Sequence, residues 1–154
     1  MSDLLNKESV IRVQKFINEY DASLKIIVLE TTARTAKDAA NSLKCEVGAI
    51  VKSLLFRANE SFLICLIAGD RRCSLNKLKK IIDKKDVSMA NADEVKFNTG
   101  FSIGGVSPIG HLKKMDVLID KSLSRFTNVF AAAGHPNCIF KISYKKLIEI
   151  TNGT

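Results

Sequence analysis

Two apolar runs that lie close together in the sequence constrain the fold more than any other feature. Residues 49–57 and 62–68 are strand-like, and the four residues Ala58-Asn59-Glu60-Ser61 separate them. Two such runs joined by a short polar segment predict a β-hairpin. Because the strands of a hairpin are antiparallel, this pair favours an α+β fold over a doubly wound parallel sheet.

Helix and strand signals interleave irregularly on both sides of the hairpin. A 3.6-residue apolar period predicts a helix over residues 9–20. Capping side chains at Thr35, Ser74, Asn91 and Ser143 predict helices over residues 36–43, 75–83, 92–97 and 144–150. Further strands are predicted at residues 24–30, 117–119, 129–132 and 139–142. With no internal repeat or linker, residues 1–154 are expected to form one α+β domain.

Composition argues against several classes of protein. No apolar stretch approaches the roughly 18 residues of a membrane span. The N-terminal residues mix charges with apolar positions, which argues against a signal or transit peptide and predicts a cytoplasmic protein. The four cysteines form no C-x-x-C pair, so zinc-ligand spacing is absent and reduced, buried thiols are expected. A catalytic Cys138, with His135 as its base, stays open at this point.

The charge balance favours a polyanionic partner. The chain has 24 Lys and Arg against 16 Asp and Glu, which gives a formal net charge of +8. Neutralising phosphates with such a surface releases counterions. Basic side chains that could serve this purpose are Arg71, Arg72, Lys77, Lys80, Lys84, Lys113, Lys114, Lys145 and Lys146. The alternative is that they form ordinary solvated faces.

Lys52 occupies an unusual place in the first strand of the predicted hairpin. Strand periodicity puts it on one face with Ile50, Leu54 and Phe56. One interpretation is a lysine whose stem packs while its ammonium reaches water. The other is a cleft-facing lysine that meets a phosphate or carboxylate, since a charge among apolar neighbours needs a partner.

Glycines cluster in the segment that follows the fourth predicted helix. Four of the eight glycines lie in residues 100–110, which contain the run Gly104-Gly105-Val106-Ser107-Pro108. Adjacent glycines let a ligand approach the backbone, whose N–H groups could stabilise an oxyanion. The alternative is a simple Gly-Pro turn between strands. The segment is neither a dinucleotide fingerprint nor a Walker loop.

A second compact turn follows three alanines near the end of the chain. Gly134 and His135 begin the run Gly-His-Pro-Asn, so a titratable group lies on a tight turn. His135 could move a proton or hydrogen bond to a substrate, or it could be solvated. The preceding alanines could shape a pocket that excludes large side chains.

Taken together, these segments resemble the YbaK/ProX (YbaK/EbsC) family of aminoacyl-tRNA deacylases, which is related to the editing domain of bacterial prolyl-tRNA synthetases. The resemblance runs over nearly the whole chain. It is carried by T-x-x-x-A-A-x-x-L at residues 35–43, I-V-K-S-L-L-F at 50–56, G-F-S-I-G-G-V-S-P-I-G at 100–110 and A-A-G-H-P-N at 132–137.

The resemblance implies a single α+β domain with a mixed, curved β-sheet flanked by short helices and a pocket beside it. It implies hydrolysis of the ester on a mischarged tRNA, typically tRNA(Pro) carrying a small amino acid such as Ala or Cys. The partners would be the acceptor 3′ end of the tRNA and, as a further candidate, prolyl-tRNA synthetase. No cofactor, metal or membrane is implied, and a monomer is favoured.

The resemblance also suggests roles for individual residues. Lys52 would hold the terminal nucleotide or polarise its ester, and N–H groups around Gly104–Ser107 would receive the developing oxyanion. The predicted catalytic residues are Lys52, Gly104 and Gly105. The predicted substrate-binding residues are Thr35, Val106, Ser107, Pro108, Gly134 and His135. Water is the expected nucleophile.

Two other functions remain compatible with the sequence. The chain could be a tRNA- or nucleotide-binding module of the same fold without activity. Alternatively, the glycine-rich loop could be a surface for docking a protein partner.

Overall fold

The predicted hairpin forms the centre of a seven-stranded sheet in the computed structural model, which describes residues 2–30 and 35–154. The helices are α1 Glu8–Tyr20, α2 Ala36–Leu43, α3 Leu75–Ile82, α4 Ala92–Thr99 and α5 Tyr144–Thr151. The strands are β1 Ile26–Val28, β2 Ile50–Ala58, β3 Ser61–Ala68, β4 Val87–Met89, β5 Asp116–Ile119, β6 Asn128–His135 and β7 Cys138–Ser143. Short 3-10 helices span Ser2–Asn6, Val47–Ala49 and Lys121–Arg125.

Strand order and direction confirm the predicted mixed sheet. The order is β1-β7-β6-β2-β3-β5, and β4 pairs with β2 off this path. The β2–β6 and β3–β5 pairs are parallel, whereas the other pairs are antiparallel. The hairpin turn consists of Asn59 and Glu60, because Ala58 pairs with Ser61.

Side-chain caps begin four of the helices where the sequence predicts. The Thr35 side chain accepts a hydrogen bond from the Asp38 N–H at 3.1 Å. Ser74 and Ser143 cap α3 and α5 in the same way. At α4, Asn91 and Glu94 form a reciprocal capping box. Each cap satisfies N–H groups that the first helical turn leaves unpaired.

Three strands depart from the sequence prediction. The strand predicted at residues 24–30 is confined to β1, because a turn brings the Leu24 N–H to the Asp21 carbonyl at 3.1 Å. The strand β4 was not predicted. The strand predicted at residues 129–132 continues to His135, with an irregularity in its pairing between Ala132 and His135.

Helix α3 ends at Ile82, so Lys84 lies beyond it.

The two faces of the sheet bury separate clusters. On one face, Val51 and Leu55 of β2 pack in the main core with residues of α1 and with Leu147 of α5. On the other face, Phe56 packs with Cys65 of β3 and Leu78 of α3. Helix α2 covers a third cluster at the N-terminal end of β2. Among the described helices, none is long and apolar enough to span a membrane.

Candidate active site

A cavity lies where the pairing of β2 is incomplete. One edge of β2 pairs with β6 at Ile50 and Val51 and with β4 at residues 56–58. Between these pairings, residues 52–55 have no strand on that edge within the described chain. We call residues 52–55 the unpaired stretch of β2, although their other edge pairs with β3. A cavity of about 400 Å³ opens beside it.

Small residues leave the space that the cavity occupies. Its lining includes Ala36, Ala39, Ala90, Ala131 and Ala132. The two exposed apolar side chains on the lining are those of Met89 and Ile103, which are 58% and 62% exposed. The cavity is therefore mainly apolar and accessible, as ligand sites usually are.

Four of the predicted site residues meet at this cavity although they are far apart in the sequence. Thr35, Lys52, Gly104 and Val106 all contribute to its lining. They come from the start of α2, from β2 and from the loop between α4 and β5. They meet there because β6 and β4 pair with opposite ends of β2 and leave residues 52–55 open between them.

Lys52 is half-buried, and its ammonium is held by the turn that follows β3. Its Nζ donates a hydrogen bond to the Arg71 carbonyl at 2.5 Å. One carbonyl can satisfy only one of the three N–H donors of an ammonium. The remaining donors suit an anionic or carbonyl oxygen. A lysine whose stem packs while its ammonium reaches water fits this geometry. A cleft-facing lysine that meets a phosphate or carboxylate fits it as well.

The turn that accepts the Lys52 ammonium is anchored by an ion pair. Asp70 receives two hydrogen bonds from Arg125, at 2.9 Å and 2.7 Å. Arg125 holds the pKa of Asp70 below its usual value, mainly through these hydrogen bonds. The Arg71 N–H also donates to the Ala68 carbonyl at 2.9 Å. Asp70 and Arg125 therefore support the position of Lys52.

The glycine-rich loop contributes main-chain groups to the cavity. Gly104 has a φ of +94°, a conformation that favours glycine. The Gly105 N–H donates to the Ser102 carbonyl at 3.0 Å, so it is already used within the loop. The N–H groups of Gly104 and Val106 have no acceptor in the described part of the chain. A ligand oxygen could use either of these two donors.

The second predicted turn packs directly against this loop. The Gly134 N–H donates to the Gly105 carbonyl at 3.0 Å. A Cβ on Gly105 would lie 2.9 Å from the His135 backbone, and a Cβ on Gly134 would lie 2.6 Å from the Ser9 carbonyl oxygen. These contacts join α1, the loop and the β6–β7 turn.

His135 lies beside the cavity lining rather than in it. Its Nδ1 accepts a hydrogen bond from the Asn137 N–H at 3.0 Å. Burial, together with nearby Lys7, lowers the pKa of His135 below its usual value, so the neutral ring is favoured. The neighbouring Pro136 does line the cavity.

Ser107 and Pro108 lie deeper than the other predicted loop residues. Both are buried, and neither contributes to the lining of the cavity beside β2. The Ser107 hydroxyl accepts the Ile109 N–H at 3.2 Å, while its carbonyl lies 2.7 Å from His111 Nε2. These contacts stabilise the loop from behind.

Arg12 is a support of the loop that was not predicted from the sequence. It donates to the Gly110 carbonyl at 2.9 Å and lies 4.6 Å above the Phe101 ring. Because Arg12 belongs to α1, nearly 100 residues away, no local pattern indicates this contact. It fixes the loop against the first helix.

The four cysteines are free thiols, of which Cys65 and Cys138 are buried, whereas Cys45 and Cys73 are half-buried. Cys138 is fully buried, and burial raises its pKa. Burial also raises the pKa of Cys65 to about 12. Since the thiolate is the nucleophilic form, the structure does not support the hypothesis of a catalytic Cys138 with His135 as its base.

Basic residues near Lys52 form one part of the predicted basic surface. Arg71 and Arg72 precede α3, and Lys77 and Lys80 are exposed on it. Lys113 lies over the Phe97 ring at 3.8 Å, and Lys146 forms an ion pair with Asp21. Arg72, Lys77 and Lys80 follow Arg71 in the sequence, and the Arg71 carbonyl accepts the Lys52 ammonium. They are therefore the members of the predicted basic surface that lie nearest in sequence to this contact.

The comparison with protein families identifies the relatives of this domain. Residues 30–150 match the model of the aminoacyl-tRNA editing domain. The chain belongs to this family. The match covers all the elements around the cavity, from the start of α2 to β7.

Individual relatives agree with this assignment. The chain is 31% identical to the Bacillus subtilis protein YwhH over 90% of its own length and 88% of that protein. It is 28% identical to EbsC of Enterococcus faecalis, a candidate Cys-tRNA(Pro)/Cys-tRNA(Cys) deacylase, over 77% of this chain and 73% of EbsC. It also matches proline–tRNA ligases, spanning 16% of the length of the Kosmotoga olearia enzyme at 36% identity over 62% of this chain.

A solved structure shows the same fold. The crystal structure of a candidate trans-editing enzyme for prolyl tRNA synthetase superimposes with a TM-score of 0.91 at 34% identity. The superposition covers 96% of this chain and 94% of the other. The resemblance inferred from the sequence motifs is thus confirmed, together with the fold class.

Proposed function

We propose that this editing-domain protein is a trans-editing deacylase that hydrolyses the ester of a mischarged tRNA. The observation that carries the proposal is the convergence of Thr35, Lys52, Gly104 and Val106 on one small cavity. The family match and the activity named for EbsC support the class of reaction.

The residues around the cavity suit the hydrolysis of an ester by water. Lys52 would hold the terminal nucleotide or polarise the ester, since its ammonium retains free donors. Water would attack the ester carbonyl carbon, and the N–H groups of Gly104 and Val106 would stabilise the oxyanion that forms. The bond to the ribose oxygen then breaks and leaves a free amino acid and tRNA with its terminal hydroxyl restored.

The cavity favours a small, uncharged amino acid. Alanines contribute much of its lining, and Lys52 is the only ionisable side chain among its described lining residues. Size selection in an apolar pocket supplies about 1–3 kcal/mol per methylene, so alanine, cysteine, serine and 2-aminobutyrate are all candidates. Ala and Cys on tRNA(Pro) are the substrates we favour.

Thr35, Ser107, Pro108, Gly134 and His135 would act around this reaction centre. Thr35 borders the cavity, whereas the other four support its wall through the packed loop and turn. We further propose that the protein works in the cytoplasm as a monomer. It would act on the acceptor 3′ end of tRNA, with prolyl-tRNA synthetase as a candidate partner.

A panel of charged tRNAs tests this function. Catalytic amounts of the protein are mixed with tRNA(Pro) carrying alanine, cysteine, serine, 2-aminobutyrate or proline, and ester loss is followed over time. We expect several turnovers on at least one small residue and none on proline. Saturable tRNA binding without loss of any ester would instead favour the non-catalytic binding module.

A further inference from the structure

The main chain of Ser53 faces the cavity edge of β2. The Ile50 carbonyl accepts the Gly69 N–H on the β3 side at 2.8 Å, whereas the Leu55 carbonyl accepts the Ala90 N–H on the opposite edge at 3.0 Å. In an antiparallel strand, main-chain groups alternate between the two edges, and both groups of one residue point the same way. The N–H and C=O of Ser53 therefore lie on the same edge as the Leu55 carbonyl.

Several polar groups on this edge have no partner. Within residues 2–30 and 35–154, neither the N–H nor the C=O of Ser53 has a hydrogen bond, and the Leu55 N–H has none. The Ser53 hydroxyl is buried and is also without a partner in the described chain. Buried polar groups are almost always satisfied, so this concentration beside a cavity indicates a ligand that supplies the missing partners.

We propose that Ser53 binds the α-ammonium group of the aminoacyl moiety, an inference that rests on the proposed deacylase function. The Ser53 carbonyl oxygen provides one acceptor on the cavity edge, and the buried Ser53 hydroxyl would turn towards the ammonium group to supply a second. Side chains alternate along a strand, so the Lys52 ammonium leaves β2 on the other face and does not compete for these oxygens. The N–H groups of Ser53 and Leu55 remain available to water or to a ligand oxygen.

Alanyl-tRNA and lactyl-tRNA provide the experimental comparison, because they differ only in an α-ammonium or an α-hydroxyl group. Lactyl-tRNA is made from alanyl-tRNA by nitrous acid. The measured quantity is the ratio of kcat/KM for the alanyl ester to kcat/KM for the lactyl ester. Comparing this ratio between variants cancels the difference in intrinsic ester reactivity.

The Ser53→Ala variant removes one acceptor and should lower the ratio about tenfold, as expected for a hydrogen bond to a charged group. Ser53→Thr keeps the hydroxyl and should preserve the ratio. Ser122→Ala is the matched control, since the Ser122 hydroxyl is also buried without a partner but does not line the cavity. It should leave the ratio unchanged.

Two results would overturn the proposal. One is an equal ratio in the wild type and Ser53→Ala; the other is an equal fall in Ser53→Ala and Ser122→Ala. If no ester is hydrolysed, the deacylase function fails, and calorimetry with amide-linked alanyl- and lactyl-adenosine tests the subsite by itself. The wild type should then bind the alanyl compound about tenfold more tightly, whereas equal binding would refute the role of Ser53.

Discussion

Close main-chain contacts at two glycines join the glycine-rich loop to its surroundings. Gly105 approaches the His135 backbone, and Gly134 approaches the Ser9 carbonyl. Gly134 also has a φ of +93°, so both space and conformation favour glycine there. Gly104 differs, because its conformation favours glycine while its surroundings are open except for Pro136 at 3.4 Å.

Replacing Gly134 by alanine should therefore destabilise the fold more than the same change at Gly104. We expect a loss of about 3 kcal/mol in the free energy of unfolding for Gly134→Ala, from backbone strain and displacement of Ser9. Gly104→Ala should cost about 1 kcal/mol from conformation alone. Urea denaturation measures both values, and equal losses would argue against the close approach at Gly134.

His111 should make stability depend on pH. Burial lowers the pKa of this half-buried ring below its usual value, and Arg12 adds to the effect, against a hydrogen bond with the Ser107 carbonyl. The unfolded chain therefore binds more protons than the folded chain, so the free energy of unfolding falls as the pH drops below about 6.5.

The test compares the wild type with His111→Gln by urea denaturation between about pH 7 and pH 5. The variant should lose part of the slope, which for one group is at most about 1.4 kcal/mol per pH unit. A remaining slope is expected from His135, whose pKa is also lowered. An unchanged slope would show that His111 does not titrate differently in the folded protein.

At the scale of elements, the turn after β3 determines where the Lys52 ammonium lies. The Asp70–Arg125 pair holds this turn, and a second bidentate pair, Arg57–Asp86, lies at the far end of β2. Both pairs are partly exposed, so each contributes only about 0–1 kcal/mol to stability. The two pairs differ in position: Asp70 lies next to Arg71, whose carbonyl accepts the Lys52 ammonium, whereas Asp86 pairs with Arg57 near the other end of β2.

Asp70→Asn should lower the kcat of the proposed hydrolysis several-fold while changing the melting temperature little. The reason is that a looser turn no longer fixes the Arg71 carbonyl that orients Lys52. Asp86→Asn is the matched control and should keep full activity. Equal activity in both variants would contradict the supporting role of Asp70.

Local patterns were sufficient to predict most elements but not the cavity between them. The hairpin and the caps at Thr35 and Asn91 depend on residues within a few positions of one another. The unpaired stretch of β2 depends on where β6 and β4 meet that strand, and β4 has only three residues. Ser53 was therefore missed, although Lys52 beside it was predicted.

At the scale of the whole molecule, two helices that carry lysines pack on opposite faces of the sheet. Helix α3, with Lys77 and Lys80, packs over the face that carries Phe56, whereas α5 packs on the face that carries Leu55. Lys52 shares the face of Phe56 by strand alternation. We therefore expect tRNA phosphates to lie along α3.

Lys77→Ala combined with Lys80→Ala should weaken tRNA binding and reduce its dependence on salt. Each lost phosphate contact lowers the slope of log K against log salt by roughly 0.7–0.9. Lys15→Ala combined with Lys145→Ala removes the same charge from exposed positions on α1 and α5, which pack on the face of Leu55, and should have little effect. Equal losses from the two double variants would show that charge matters without a defined surface.

The most direct test of the central claim is the single-turnover deacylation rate of Lys52→Met on the best mischarged tRNA. Methionine keeps the apolar stem and removes the ammonium. The rate should fall by about 100-fold or more, as when an electrostatic group of a reaction centre is lost. Lys145→Met, which changes an exposed lysine on α5 outside the cavity lining, should react like the wild type. Full activity in Lys52→Met would contradict the assignment of the chemistry to the cavity beside β2.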